Sequence, residues 1–249
     1  MKKKLLVSLI VMLLSSLPIG AAAFASEPIV SIDIGDGGEP VGASSLTLLL
    51  VITVLSLAPA ILIMMTCFTR IVIVLGFVRT SLGTPTMPPN QVLIGLALFM
   101  TLFVMSPTIS QVNQQAVQPY LDGEITQTEA LSKAAVPMKE FMYKQTREKD
   151  LLLFMNYTKT EKPETYQDIP LTVLVPAYAM SELKTAFQMG FMIFIPFLVI
   201  DMVVSSTLMA MGMMMLPPVM ISLPFKILLF VLVDGWYLVV KSLLTSFQT

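Results

Sequence analysis

The chain has 249 residues, of which 55% are hydrophobic and only 12% charged, and its mean hydropathy is +0.82. A soluble domain carries about 25% charged residues, so this is a membrane or membrane-assembly protein. A net charge of −1 gives nucleic acid no electrostatic footing, the lack of His removes the commonest general base and metal ligand, and the single Cys67 excludes an intrachain disulfide.

Residues 1–25 read as a cleavable signal peptide. Lys2, Lys3 and Lys4 form a basic start, Leu5 to Leu17 a short apolar run, and Ala23-Phe24-Ala25 a small-residue cleavage site. Cleavage between Ala25 and Ser26 starts the mature chain outside the cytoplasm. The alternative, an uncleaved first span, asks for about 20 apolar residues, and this run is short for that. Residues 26–45 read as a flexible acidic leader, with Glu27, Asp33, Asp36 and Glu39 set among Gly35, Gly37, Gly38 and Gly42. A metal site at Asp33 and Asp36 is the minor alternative there.

Residues 46–110 are expected to form a first apolar helical hairpin. Leu46 to Phe68 is 23 residues without a charge. As a helix it is about 35 Å long, enough to cross a hydrocarbon core of about 30 Å. Pro59 predicts a kink. The apolar character continues past Arg70 to Val78, so Arg70 is placed inside one long helical run. Arg79 and the turn-rich stretch from Gly83 to Asn90 close it. Val92 to Met105 is a short second segment, followed by Pro107.

Residues 111–184 are the polar region, with ten acids and eight bases. Apolar positions recur at spacings of three and four, which predicts one or two amphipathic helices in an extramembrane segment, the first broken by Pro137. The charges are read as a solvated face.

Residues 185–249 are expected to form a second apolar hairpin around a Met-rich loop. Thr185 to Ile200 carries no charge, and Asp201 follows inside the apolar run. Residues 180–220 hold ten of the chain's twenty Met. The stretch Gly212-Met213-Met214-Met215 stops at Pro217-Pro218. The Pro pair is expected to end a helix, and Gly212 to allow a bend. Three consecutive Met cannot share one helix face, and thioether side chains suit a surface that closes and re-closes around different objects. Ordinary packing is the alternative. On one helix at about 100° per residue, Lys226, Asp234 and Lys241 would share a face that lipid rejects at a cost of at least ~2.5 kcal/mol per charge. Arg70 and Asp201 add two more ionisable groups in apolar elements. Either an ion or substrate path or structural ion pairs between subunits would account for them. Hydropathy alone gives four spans after the signal, with both mature termini outside and the Met turn facing the cytoplasm.

The chain resembles the FliP family of flagellar export proteins. The resemblance is carried by Pro176-Ala177-Tyr178, Ser181-Glu182-Leu183-Lys184-Thr185-Ala186-Phe187, Phe194-Ile195-Pro196-Phe197, Asp201, Gly212-Met213-Met214-Met215, Leu223-Pro224-Phe225-Lys226 and Val233-Asp234-Gly235-Trp236. In the first half, Phe68-Thr69-Arg70, Arg79 and Pro88-Pro89-Asn90-Gln91 agree. It covers roughly residues 45–247.

The resemblance implies an all-α membrane protein whose helical hairpins assemble, in several copies and with FliQ and FliR, into a cone-like export gate. Other export components such as FlhB and FlhA, unfolded flagellar substrates and membrane lipid are the further partners implied. Met213, Met214 and Met215 would be a gasket constricting the channel, shaped by Gly212, Pro217 and Pro218. Arg70, Asp201, Lys226, Asp234 and Lys241 would serve assembly. The equivalent subunit of a virulence-type injectisome is the alternative within this fold. Outside it, a copper or small-ion transporter would use Met thioethers as soft ligands, but adjacent Met at a turn converge poorly and no Cys or His supports them. With no His and no nucleophile beside a base, neither enzymatic activity nor a cofactor is expected.

Overall fold

The computed structural model describes residues 41–84, 86–159, 163, 165–213 and 216–247. All regular structure within them is helical. The helices are α1 (Val41–Met64), α2 (Phe68–Ser81), α3 (Asn90–Val112), α4 (Gln118–Leu121), α5 (Gln127–Gln145), α6 (Glu148–Thr158), α7 (Leu171–Ala210), α8 (Pro218–Leu232) and α9 (Gly235–Thr245). A π-helical turn, Asn113–Val117, joins α3 to α4, and a 3-10 turn, Tyr166–Asp168, precedes α7. The chain divides into two compact units, residues 1–54 and 55–249. Of the first, residues 41–54 are described, and they form the start of α1.

The second unit is organised around α2. Ile71, Val74, Leu75 and Val78 recur at spacings of three and four and are all fully buried. This stripe packs with Leu93, Ala97, Met100 and Met105 of α3 and with Ala186 and Phe197 of α7. Gly190 lets α2 and α7 approach, since a Cβ there would stand 2.4 Å from the ring of Phe77. Phe77 also meets Phe187 edge to face, with ring centroids 5.4 Å apart. A second cluster, of Met142, Leu151, Met155, Val173, Leu174 and Tyr178, ties α5 and α6 to the first half of α7.

Several expectations are corrected here. The run from Leu46 to Val78 is two helices. It breaks at residues 65–67, where Met65 N–H bonds Ile61 O at 3.0 Å and Ile71 N–H already bonds Cys67 O at 3.2 Å. Arg70 therefore sits on the first turn of α2. The second apolar segment does not end near Met105. The helical run continues for 32 residues, Asn90–Leu121, with Pro107 inside it. Pro137 lies inside α5 and does not break it, because proline removes one backbone bond without removing the packing that holds a docked helix. The last apolar hairpin begins earlier than Thr185, as α7 runs unbroken for 40 residues through Pro176 and Pro196.

The Pro pair starts a helix and does not end one. Pro217 is the residue before α8 and Pro218 its first residue, where a missing N–H is not needed. What ends α7 is Gly212, in the left-handed conformation at φ +73°. Its N–H bonds Met209 O at 3.0 Å, and Met213 N–H bonds Leu208 O at 3.0 Å. That pair of bonds satisfies the last carbonyls of the helix as a Schellman motif does.

Lys226, Asp234 and Lys241 do not share a helix. The final segment bends by 63° between α8 and α9, at Asp234, whose φ is +51°. Among the described residues, the runs Asn90–Leu121 and Leu171–Ala210 are long and apolar enough to cross a membrane, and the bent α8–α9 pair makes up to a third.

Candidate functional site

Three charges placed by sequence inside apolar elements, Arg70, Asp201 and Lys226, meet partners within the chain and not between subunits. The first is Arg70, with 2% of its surface exposed, paired with the fully buried Glu182 of α7. Its Nε donates to Glu182 Oε2 at 2.9 Å, and its Nη2 contacts Glu182 Oε1. Nη2 also donates to Gln145 Oε1 at 3.0 Å, and Nη1 donates to both Ser246 O and Ser246 Oγ at 3.0 Å. The guanidinium carbon lies 4.0 Å from the centre of the Phe247 ring. One planar fork thus ties together α2, the end of α5, the first half of α7 and the residues after α9, which a lysine could not match.

A second buried carboxylate supports the same level of α7. Asp150 accepts from Ser181 Oγ at 2.7 Å and pairs with Arg147, whose own N–H donates to Ser181 Oγ at 3.1 Å. The start of α6 is thereby fastened to α7, one residue before Glu182. The polar region's charges are accordingly not all solvated. Asp150 and Glu182 are buried because each is neutralised and hydrogen-bonded, the condition under which a carboxylate can leave water.

The second pair is Asp201 and Lys226. Lys226 Nζ donates to Asp201 Oδ2 at 2.6 Å and to Ser81 O at 3.2 Å. Ser222, one turn before Lys226 on α8, donates to Asp201 Oδ1 at 2.5 Å. Lys226 has 3% of its side chain exposed and Asp201 27%. The ammonium also meets the C-terminal carbonyl end of α2, where a cation is favoured. Asp201→Ala would leave that ammonium buried with one backbone acceptor, a loss of order 3 kcal/mol. Lys226→Ala should cost less, because Asp201 keeps Ser222 and some exposure. Folded yield in detergent should rank the variants wild type, Lys226→Ala, Asp201→Ala. Equal yields would mean that the pair holds nothing in place.

Asp234 and Lys241 are exposed and are not brought to either cluster. Lys241 lies over the ring of Tyr237, with Nζ 5.8 Å from its centre. In the Met-rich loop, Gly212 shapes the exit of α7 and Met213 is exposed, as are Met209, Met211, Leu216 and Met220 on either side. Met214 and Met215 lie outside the described residues, as do Ala25, Ser26, Asp33 and Asp36. Among the described residues no three His, Cys, Asp or Glu side chains gather to hold a metal ion.

Sequence reasoning missed Glu182 and Asp150. The signal was present for Glu182: Leu174 and Tyr178 precede it at spacings of four, so it continues a buried face. Arg70, a lone cation among apolar neighbours, required an acid somewhere.

Comparison with known proteins covers nearly the whole of the described chain. A family model described as the FliP family matches residues 51–243. The flagellar biosynthetic protein FliP of Bacillus subtilis (strain 168) is 70% identical over 217 residues, covering 87% of this chain and 98% of that protein. The protein of the same name from Pectobacterium carotovorum subsp. carotovorum is 53% identical over 221 residues, 89% of this chain and 85% of that one. That of Aquifex aeolicus (strain VF5) is 48% identical over 227 residues, 90% and 94% respectively.

Proposed function

The chain belongs to the FliP family, and from that premise we propose that it is a core subunit of the flagellar protein export gate. In this reading several copies assemble with FliQ and FliR into a channel in the inner membrane, contacted by FlhB and FlhA, through which unfolded flagellar subunits leave the cell. The observation that carries it is the 70% identity to a flagellar biosynthetic protein along almost that protein's full length. The fold supports it: α7 and α8 form a hairpin joined by the Asp201–Lys226 pair, with α7 tied to α2 by Arg70–Glu182, and Met209, Met211 and Met213 are exposed near its tip.

The exposed faces suit a subunit more than a lone transporter. Phe99, Phe103, Phe191, Met192 and Leu232 are all outward-facing. Arg70, Asp201 and Lys226 would hold the hairpins in shape for assembly, and Asp234 and Lys241 would meet neighbouring chains. Met213, Met214 and Met215 would form the gasket, held in place by Gly212, Pro217 and Pro218.

The reading is tested in flagellated cells whose own family member has been deleted. Expressing this chain should restore filaments and motility, and a tagged copy should carry FliQ and FliR through purification. Filament loss that this chain does not relieve, with no FliQ or FliR recovered, would overturn it.

The basic start, apolar run and Ala23-Phe24-Ala25 site support cleavage after Ala25. N-terminal sequencing of membrane-extracted protein should begin at Ser26. A chain beginning at Met1 would remove this proposal without touching the first.

A further inference from the structure

The bent pair α8–α9, Pro218–Thr245, carries three charged residues, Lys226, Asp234 and Lys241. Lys226 is engaged by Asp201. Asp234 and Lys241 are both exposed, and among the described residues neither forms an ion pair. Asp234 stands at the N-cap of α9, where an aspartate ordinarily accepts from the backbone of the first turn, yet its side chain makes no cap hydrogen bond. Its left-handed backbone, at φ +51°, turns the chain through the bend, a task that glycine or asparagine performs without a charge. The carboxylate is therefore not used by the fold. The Lys241 ammonium meets the Tyr237 ring, 5.8 Å from its Nζ, and donates to no acceptor among the described residues.

The surface around the two charges suits neither lipid nor water. From Asp234 onward, exposed residues recur on α9 at spacings of three and four, namely Tyr237, Leu238, Lys241, Ser242 and Thr245, while Gly235, Val239 and Leu243 are buried behind them. Lipid at depth rejects the acid and the base. Water is a poor neighbour for Leu232, Val233, Tyr237 and Leu238, which are exposed beside them. Asp234 and Lys241 are seven residues apart, about 10 Å along a helix, and do not pair with each other. One acid and one base on a single surface, equal and opposite, make that surface complementary to a second copy of itself.

We propose that this face of α9 is a contact between copies of the chain, in which Asp234 of one copy pairs with Lys241 of the next. The inference rests on the reading that several copies assemble, and it adds which surface joins them. Because the acid and the base are separated along the chain, each engages a different neighbour, and the contact repeats head to tail. Tyr237 and Leu238 lie between the charges and exclude water from around the pair, as apolar surroundings do at the centre of an interface.

The test uses the full chain, expressed with FliQ and FliR, with a tagged and an untagged copy in the same cell. The tagged copy carries Asp234→Asn and the untagged copy Lys241→Gln, so that the one remaining pair of these two side chains lies between copies. A membrane-permeant carbodiimide, which condenses a carboxylate with an amine beside it, should join the two into a product containing one peptide linked from Asp234 to Lys241. The product should vanish when both copies carry Asp234→Asn. In a second measurement, Asp234→Lys in every copy should lower recovery of the untagged copy with the tagged one at least about tenfold, as like charges set opposite each other do. Asp234→Lys/Lys241→Asp should restore most of it. The substituted chain should keep its folded yield in detergent, since lysine already stands at φ +53° at Lys159. Coupling of Asp234 to a lysine of another subunit would overturn the contact and leave the assembly reading intact. So would copies that co-purify equally well in all the charge-reversed variants and give no Asp234–Lys241 product. Copies that never co-purify would overturn both.

Discussion

Replacing Arg70 with Ala is expected to remove most of the folded protein from the membrane. The substitution strips Glu182, which has no exposed surface, of its only cation, and leaves Gln145 and Ser246 without their donor. Breaking a buried pair from one side costs about 3–5 kcal/mol, against a total stability of about 5–15 kcal/mol for a domain. Glu182→Ala should be milder, since the guanidinium keeps Gln145, both Ser246 acceptors and the Phe247 ring. Arg70→Lys should fall between wild type and Arg70→Ala, because one ammonium cannot reach four partners arranged around a planar fork. Arg70→Met with Glu182→Leu should be less damaging than Arg70→Ala, since no charge is left buried alone. Thermal unfolding in detergent, read by circular dichroism, gives the order. If Arg70→Ala unfolds at the wild-type temperature, the four-way junction is not what holds α2, α5, α7 and the end of the chain together.

The elements of this fold were legible in the sequence where periodicity spoke, and misread where proline did. The apolar run to Val78 announced a helix, in which the structure buries Ile71, Val74, Leu75 and Val78 at spacings of three and four, and the family motifs around Asp201 and Lys226 lay where apolar runs carried isolated charges. But Pro107, Pro137, Pro176, Pro196 and Pro224 all lie inside helices. Apolar helices packed on neighbours tolerate a lost backbone bond, so proline marks a boundary poorly in such a chain. The real punctuation was quieter. Gly212 and Asp234 end their helices by adopting positive φ, and nothing about an Asp among Val, Leu and Trp announces that conformation.

The same limit held for the charges. Lys226, Asp234 and Lys241 formed a plausible stripe only on an unbroken helix; the bend at Asp234 buries the first and exposes the other two. Arg70 advertised a missing acid without saying which. Glu182 stood in a segment that looked solvated because Lys184 and Lys149 nearby are. Burial of that carboxylate depends on a contact between residues 112 positions apart, which local pattern does not carry.

The central proposal is that the Met-rich tip of the α7–α8 hairpin seals an export channel. In this account, copies of the tip meet on the channel axis, and their thioethers rearrange at low cost around a passing chain and close behind it. The hairpin's shape is set elsewhere, by Gly212 closing α7, by Pro218 opening α8, and by Asp201 with Ser222 and Lys226 between them. Met213→Ala/Met214→Ala/Met215→Ala therefore removes the bulk of the seal without touching what builds the hairpin. The deciding measurement is small-solute permeability of cells expressing the triple variant, taken together with the yield of complex containing FliQ and FliR. The account predicts normal yield with faster solute entry and poorer growth. Lost yield without a leak would show the three Met to be packing residues, and normal yield with a tight channel would place the seal on another element.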